Sequence, residues 1–257
     1  MKKKSFFQSE QELASNLQEW FGQYPGQGFL EQEIDCLNDL LPKLFGYYLV
    51  QLGMAGSLDL ALEECLVGSH LVLAANRGSD QVKVDAQVEL SQLPIATDSV
   101  DAVLLPHSLD FSSDPHQLLR EVERILIPEG RIIISGFNPW SLFGVYKLLL
   151  QRKGKIPWCA QFISVRRLQD WLRLLDFSVE IIKPVMFRPP LQNEAMMNRL
   201  QFLEQMGPKY WPFFSAGYVV QAVKRVSPLT PVLPAWRRRA QVLSGKLIEP
   251  TTRNNSG

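Results

Sequence analysis

Cysteine is scarce in this chain: Cys36, Cys65 and Cys159 lie scattered over 257 residues, with no CxxC pair and no histidine at ligand spacing. That pattern argues against a structural zinc site and against a disulfide framework, and it fits a reducing cytoplasm. Charge of one sign is also missing. With 27 Lys and Arg against 26 Asp and Glu, the formal net charge is +1, so no global field draws nucleic acid or an anionic membrane. Any such preference has to come from local patches. Long apolar runs are absent as well: the longest, 142–150, is interrupted by Gly144 and Lys147 and falls far short of a membrane span. At the N-terminus Lys2, Lys3 and Lys4 precede only Phe6 and Phe7 before polar residues resume, so no signal-peptide core is read there and secretion is not expected.

What is present is a composition suited to burying a core, 46% hydrophobic and 21% charged, arranged in alternating periods. Leu13, Leu17, Trp20 and Phe21 recur at helical spacing over 10–21, and after a Pro25-Gly26 turn a second helix is predicted over 29–44. These two read as capping helices. Strands are predicted at 47–52, 70–75, 82–88, 102–105, 131–135, 177–182 and 218–223, and helices at 58–66, 115–126 and 165–175. Asp114 and Pro115 supply an N-cap and a favourable first helical position, and Pro128 with Gly130 is expected to stop that helix. The stretch 184–212 reads as looser and methionine-bearing. The order of repeated β-α units, with a β-β pairing near the end, predicts an α/β protein with a Rossmann-like, doubly wound sheet of about seven strands. Its expected organisation is a helical cap over 1–45, a main domain over 46–226 and a basic, poorly ordered tail over 227–257.

In such sheets ligands bind outside the carboxyl ends of the strands, where strand order reverses, and the first β-α turn lies nearest. Here that turn is Gln51-Leu52-Gly53-Met54-Ala55-Gly56-Ser57, in which small residues let backbone approach a ligand and the following helix offers free amides. A more specific pattern follows. Leu93-Pro94 leads to Asp98-Ser99-Val100-Asp101-Ala102-Val103, then Asp114-Pro115, then Leu118-Leu119-Arg120-Glu121-Val122-Glu123-Arg124-Ile125-Leu126-Ile127-Pro128-Glu129-Gly130. This run resembles the methyltransferase type 11 family of class I, S-adenosylmethionine-dependent enzymes, and the likeness spans roughly 47–180. The stretch from Leu104 to Pro139 is also similar to a group of uncharacterised bacterial methyltransferase-like proteins.

The resemblance implies that S-adenosylmethionine is the cofactor. It places Gly53, Ala55 and Ser57 at the family's GxGxG positions, with Met54 and Gly56 between them and Gln51 where the family has an acid. At the end of the second strand the family's ribose-binding acid is replaced, leaving Asn76 as the acceptor; Glu89 stands where an acid meets the adenine amine, with Leu90 beside it. His107, after the fourth strand, reads either as a cofactor contact or general base near neutral pH or as a hydrogen-bonded structural residue. The 138–143 segment reads as a substrate wall, or, with 146–153, as an amphipathic contact for a lipophilic substrate or a peripheral membrane surface, or else as a core-packed helix whose basic C-terminal end matches the helix dipole. The expected function is methyl transfer to a small or lipophilic acceptor. The alternative is a catalytically silent binding protein that keeps the fold, since two of the three loop glycines are replaced.

Overall fold

The computed structural model describes residues 10–53, 65–75, 84–150, 156–191 and 194–225. Two helices, α1 (Glu10–Phe21) and α2 (Gly26–Asn38), lead into β1 (Tyr48–Leu52), β2 (Ser69–Ala74), β3 (Ala86–Gln87) and β4 (Val100–Pro106). Then follow α3 (Ser108–Phe111), α4 (Pro115–Ile125), β5 (Leu126–Phe137), α5 (Leu142–Leu150), α6 (Val165–Leu174), β6 (Phe177–Val185), α7 (Glu194–Arg199), α8 (Phe202–Tyr210) and β7 (Gly217–Lys224). The strands form one seven-stranded sheet in the order β3-β2-β1-β4-β5-β7-β6. Strands β1 to β5 pair in parallel, and β7 inserts antiparallel between β5 and β6, so the expected late β-β pairing is present.

Sheet burial explains why the strands read as apolar runs. Ile132, Ile133 and Ile134 alternate between two cores that cover both faces. On one face Leu118, Leu119 and Val122 of α4 and Leu168 and Leu172 of α6 pack against Val50, Val103 and Ile134. On the other, Leu17, Phe29 and Leu37 of the cap helices pack with Phe143 of α5 against Leu49, Leu104 and Ile133. The cap is thus part of the core. Phe29 lies so close to the start of β7 that a Cβ on Gly217 would stand 2.4 Å from its ring, so glycine is required there to admit it.

Capping proceeds as expected at Asp114, whose side chain accepts from the amides of His116 and Gln117 at 3.1 and 3.0 Å; Ser164, which the sequence did not single out as a cap, caps α6. Long-range pairing overrules local signals elsewhere. Helix α4 ends at Ile125, one residue short of the expected 126, because Leu126 pairs with Val100 and opens β5 five residues ahead of the expected 131. A register shift between Val100 and Ala102, with Glu129 in the left-handed region, lets Pro128 and Gly130 lie inside that strand. The predicted second helix stops at Asn38, and a 3₁₀ turn, Leu41–Lys43, takes up its end around Pro42. The third strand shrinks to Ala86–Gln87 at the sheet edge, and the loose 184–212 segment contains α7 and α8. Most of the helix predicted at 58–66 falls outside the described residues, as does the 227–257 tail; 65 and 66 are not helical.

One buried charge closes the far end of the sheet. Lys224 Nζ, its side chain 8% exposed, donates to the carbonyls of Glu123 and Leu126 at 2.7 and 2.8 Å and to Asp98 Oδ1 at 3.0 Å. Replacing it by methionine strands one buried and one partly buried carbonyl, so Lys224→Met is expected to lower unfolding stability by about 2–4 kcal/mol. Denaturant unfolding measures this, and a loss below about 1 kcal/mol would show that the lysine is only an edge decoration.

Candidate functional site

β1 lies where the strand order reverses, with β2 on one side and β4 on the other, so the crevice for a ligand opens beyond Leu52. Gly53 leaves the strand there with φ +100 and donates its amide to the Leu73 carbonyl at 2.9 Å. A Cβ at this point would be strained by the backbone and would also stand 2.5 Å from Ser108 Oγ. The Ser108 hydroxyl itself donates to the Leu52 carbonyl, so the loop after β4 is fastened to the exit of β1. Gly53 therefore needs to be glycine for two separate reasons.

Of the other expected cofactor positions, Met54, Ala55, Gly56, Ser57 and Asn76 lie outside the described residues. Gln51 is fully buried within β1, two residues along the strand from Leu49. Glu89 is exposed, two residues past β3, and its Oε1 accepts from the Ser91 hydroxyl. Leu90 is partly buried and packs on the sheet's core. Gly53, Glu89 and His107 thus follow the carboxyl ends of β1, β3 and β4 along one edge of the sheet.

His107 sits deeper than its loop position suggests. Its residue is 1% exposed, its φ is 53, and its ring lies 4.2 Å from Phe137 with Phe29 and Phe21 at 5.6 and 5.8 Å, centroid to centroid. Nδ1 faces Asp110 Oδ2 at 3.0 Å and Nε2 faces Glu33 Oε2 at 3.2 Å. Burial works against a charge on the ring, but the Glu33 carboxylate and the hydrogen bonds to Asp110 and Glu33 outweigh it and raise the pKa to about 9. The ring is a buried imidazolium at neutral pH. Both nitrogens are spent on carboxylates, so no lone pair is turned toward a substrate proton.

Burial also dominates Asp110, holding its carboxyl above the ordinary range despite the bonds from His107 and from the Phe137 amide, the latter at 2.9 Å. Glu33 Oε1 and Asp110 Oδ1 make no hydrogen bond among the described residues, so both acids lean on the shared imidazolium, Asp110 with the further help of the Phe137 amide and Lys147. Glu33 was not singled out by the sequence reading. Its signal was there: Phe29, Glu33 and Leu37 recur every four residues and form one buried stripe of α2, with a carboxylate where an apolar residue belongs.

The 138–143 segment is organised by Asn138. Its amide nitrogen donates to the carbonyls of Phe213 and Ser215 at 2.8 and 2.9 Å, and its Oδ1 accepts from the Trp140 amide. Trp140 is turned outward, 71% exposed, whereas Phe143 is fully buried. Lys147 turns inward, its ammonium donating to the Ala160 carbonyl and lying 4.4 Å from the Phe162 ring centre, and burial lowers its pKa.

Residues 67–134, about a quarter of the chain, match a family described as a methyltransferase domain, so the expected type 11 resemblance holds over that span. The Escherichia coli (strain K12) protein YafS, itself uncharacterised, is 39% identical over 143 residues, which are 56% of this chain and 58% of YafS. The chain thus aligns with less than two thirds of that relative's length. The demethylmenaquinone methyltransferase of Chlamydia pneumoniae is 29% identical over 80 residues, 30% of this chain and 34% of that one. A solved S-adenosylmethionine-dependent methyltransferase from Thermotoga maritima superposes with a TM-score of 0.59 at 20% identity, covering 84% of this chain and 98% of that chain. The seven-stranded sheet with its flanking helices is the Rossmann-like methyltransferase fold.

The buried imidazolium makes stability depend on pH with a definite sign. The pKa of His107 in the fold, about 9, lies above its ordinary 6.5, so its contribution is complete below pH 6.5 and is lost as pH rises through about 9. The raised Asp110 carboxyl acts with the same sign. Asparagine tolerates a left-handed backbone but cannot carry the charge, so His107→Asn is expected to cost about 2–3 kcal/mol near neutrality. That gap should narrow as denaturant unfolding is repeated toward pH 10. A gap that stays constant across the range would mean that the ring is held neutral.

Proposed function

We propose that this chain is an S-adenosylmethionine-dependent methyltransferase acting on a small or lipophilic acceptor in the cytoplasm. The observation that carries the reading is Gly53, a glycine-only turn at the strand-order reversal of a methyltransferase-type sheet. The residues present fit such a cofactor there: a glycine turn whose backbone leaves β1 at the strand-order reversal, and an exposed carboxylate, Glu89, on the same edge. In this reading the backbone of Gly53, Met54, Ala55, Gly56 and Ser57 holds the amino acid part, with Gln51 beneath it. Asn76 accepts from the ribose, and Glu89 with Leu90 holds the adenine.

Bound there, the cofactor supplies a methyl group on a sulfonium, whose departure leaves a neutral thioether and needs no proton donor. Alignment of acceptor and methyl then carries most of the rate, and the protein's task is to orient and to exclude water. We assign His107 a positioning role rather than that of a base. It presents Ser108, the residue that grips the Leu52 carbonyl ahead of Gly53, and it keeps the cap closed over the edge through Glu33.

A second reading, a binding protein that keeps the fold without turnover, draws on Ala55 and Ser57 in place of glycines. Methyl transfer to any acceptor in a radiolabel screen decides against it. The primary test is calorimetry with S-adenosylhomocysteine, where binding below millimolar concentration is expected. Because Glu89 is exposed, Glu89→Ala leaves the fold intact and should weaken that binding about 10- to 100-fold through loss of a charge-assisted hydrogen bond. A folded wild-type sample that takes up no ligand at millimolar concentration would overturn the methyltransferase reading, and unchanged affinity in the variant would remove Glu89 from the site.

A further inference from the structure

We propose that the aromatic edge made by α5 and the segment entering β7 seats this protein on the surface of an anionic lipid bilayer. Helix α5 is apolar on both sides. Phe143 is buried and Tyr146 packs near Trp158, yet Val145 and Leu148 on the outer side are 54% and 69% exposed. A helix that is hydrophobic all round belongs either inside a core or against lipid, and this one has an uncovered outer face. Its single charge, Lys147, is drawn inward to the Ala160 carbonyl, which leaves that face without charge.

The face continues onto a second segment. Asn138 ties the loop before α5 to the carbonyls of Phe213 and Ser215, so Trp140 and Phe213, exposed 71% and 70%, flank one hydrogen-bonded junction. Phe214, Trp211 and Tyr210 extend it, each about half exposed or more. Scattered single apolar residues on a surface need no account, but tryptophan, tyrosine and phenylalanine gathered beside an apolar helix match the make-up of an interfacial contact.

The rim selects the occupant. The Lys209 ammonium lies 5.6 Å from the Tyr210 ring centre, and the Arg166 guanidinium 5.9 Å from that of Phe213. The nearby acid, Glu204, is turned to Arg188 Nε at 2.9 Å and to the Phe187 amide. A second copy docking face to face brings these like charges together. The chain's own 227–257 segment, with Arg237, Arg238, Arg239, Lys246 and Arg253 against Glu249 alone, is no better matched. Anionic headgroups are. Among the described residues no helix is long and apolar enough to cross a membrane, so the contact is interfacial. Trp140 and Phe213 also follow β5 and precede β7 at the edge that carries His107, so the seat presents that edge to molecules dissolved in the bilayer. That last consequence rests on the methyl-transfer reading; the seat itself does not.

Flotation of the full chain with vesicles tests it. The wild type is expected to float with an equal mixture of phosphatidylcholine and phosphatidylglycerol, to float far less with phosphatidylcholine alone, and to be released by high salt. The double substitution Trp140→Ser with Phe213→Ser touches only exposed rings and should cut partitioning by at least about tenfold. Lys209→Glu with Arg166→Glu should abolish the preference for the anionic vesicles. A folded wild type that floats with neither composition overturns the proposal, as does a double variant that floats like the wild type. A concentration-dependent dimer that the same double variant dissolves would assign the face to self-association instead, and so would also overturn it. S-adenosylhomocysteine binding is measured on the same samples, so failure of the membrane seat and failure of the cofactor reading are told apart.

Discussion

A protonated imidazole shared by two buried carboxylates joins the parts of this molecule that the chain keeps far apart. Glu33 comes from the second cap helix, His107 from the end of the fourth strand, and Asp110 from the short helix after it; all three are almost entirely shielded from water. Isolated charges at such depth are forbiddingly costly, and the imidazolium between the two acids offsets that cost for both. The Asp110 carboxylate reaches further, accepting the Phe137 amide at the end of β5. The ring of Phe137 in turn lies against the imidazole, so the polar contact and the aromatic packing hold the same groups.

This arrangement has a geometric consequence at the crevice. To face both acids His107 adopts a left-handed backbone, an unusual conformation for a residue with a side chain, and the turn it makes delivers Ser108 to the Leu52 carbonyl. The shape of the Gly53 turn is therefore tied to the seating of a helix more than seventy residues distant from His107 in sequence. This polar bridge and the packing of Phe29 over Gly217 join the cap to that edge, beside the apolar contacts of Leu17 and Leu37 with the sheet.

Elsewhere the molecule divides its apolar residues between the two faces of the sheet and an outer edge. The parallel strands consume almost every aliphatic side chain they carry, as sheets covered on both sides must. Exposed aromatic side chains, Trp140, Phe213 and Phe214 among them, gather beyond β5 and before β7, where Asn138 fastens two loops together. Tryptophan, tyrosine and phenylalanine at such a position keep an apolar body in contact with the protein and a polar rim within reach.

Much of this was legible in order of increasing range. Strand identities followed from β-branched runs, and the cap at Asp114 is the consequence of a side chain placed next to free amides, so the alternation of elements and the fold class could be read directly. Boundaries failed where pairing decided them: Leu126 belongs to a helix by periodicity, and its amide does close the helix on the Val122 carbonyl, but its backbone turns extended there to pair with Val100. Gly53 was legible as a turn, although only the fold shows that Ser108 fills the space a side chain would need. His107 was visible as a titratable residue at the right edge, but its state was not. That state is set by a carboxylate 74 residues earlier in the chain, and no local pattern carries the charge of a neighbour that only tertiary packing supplies.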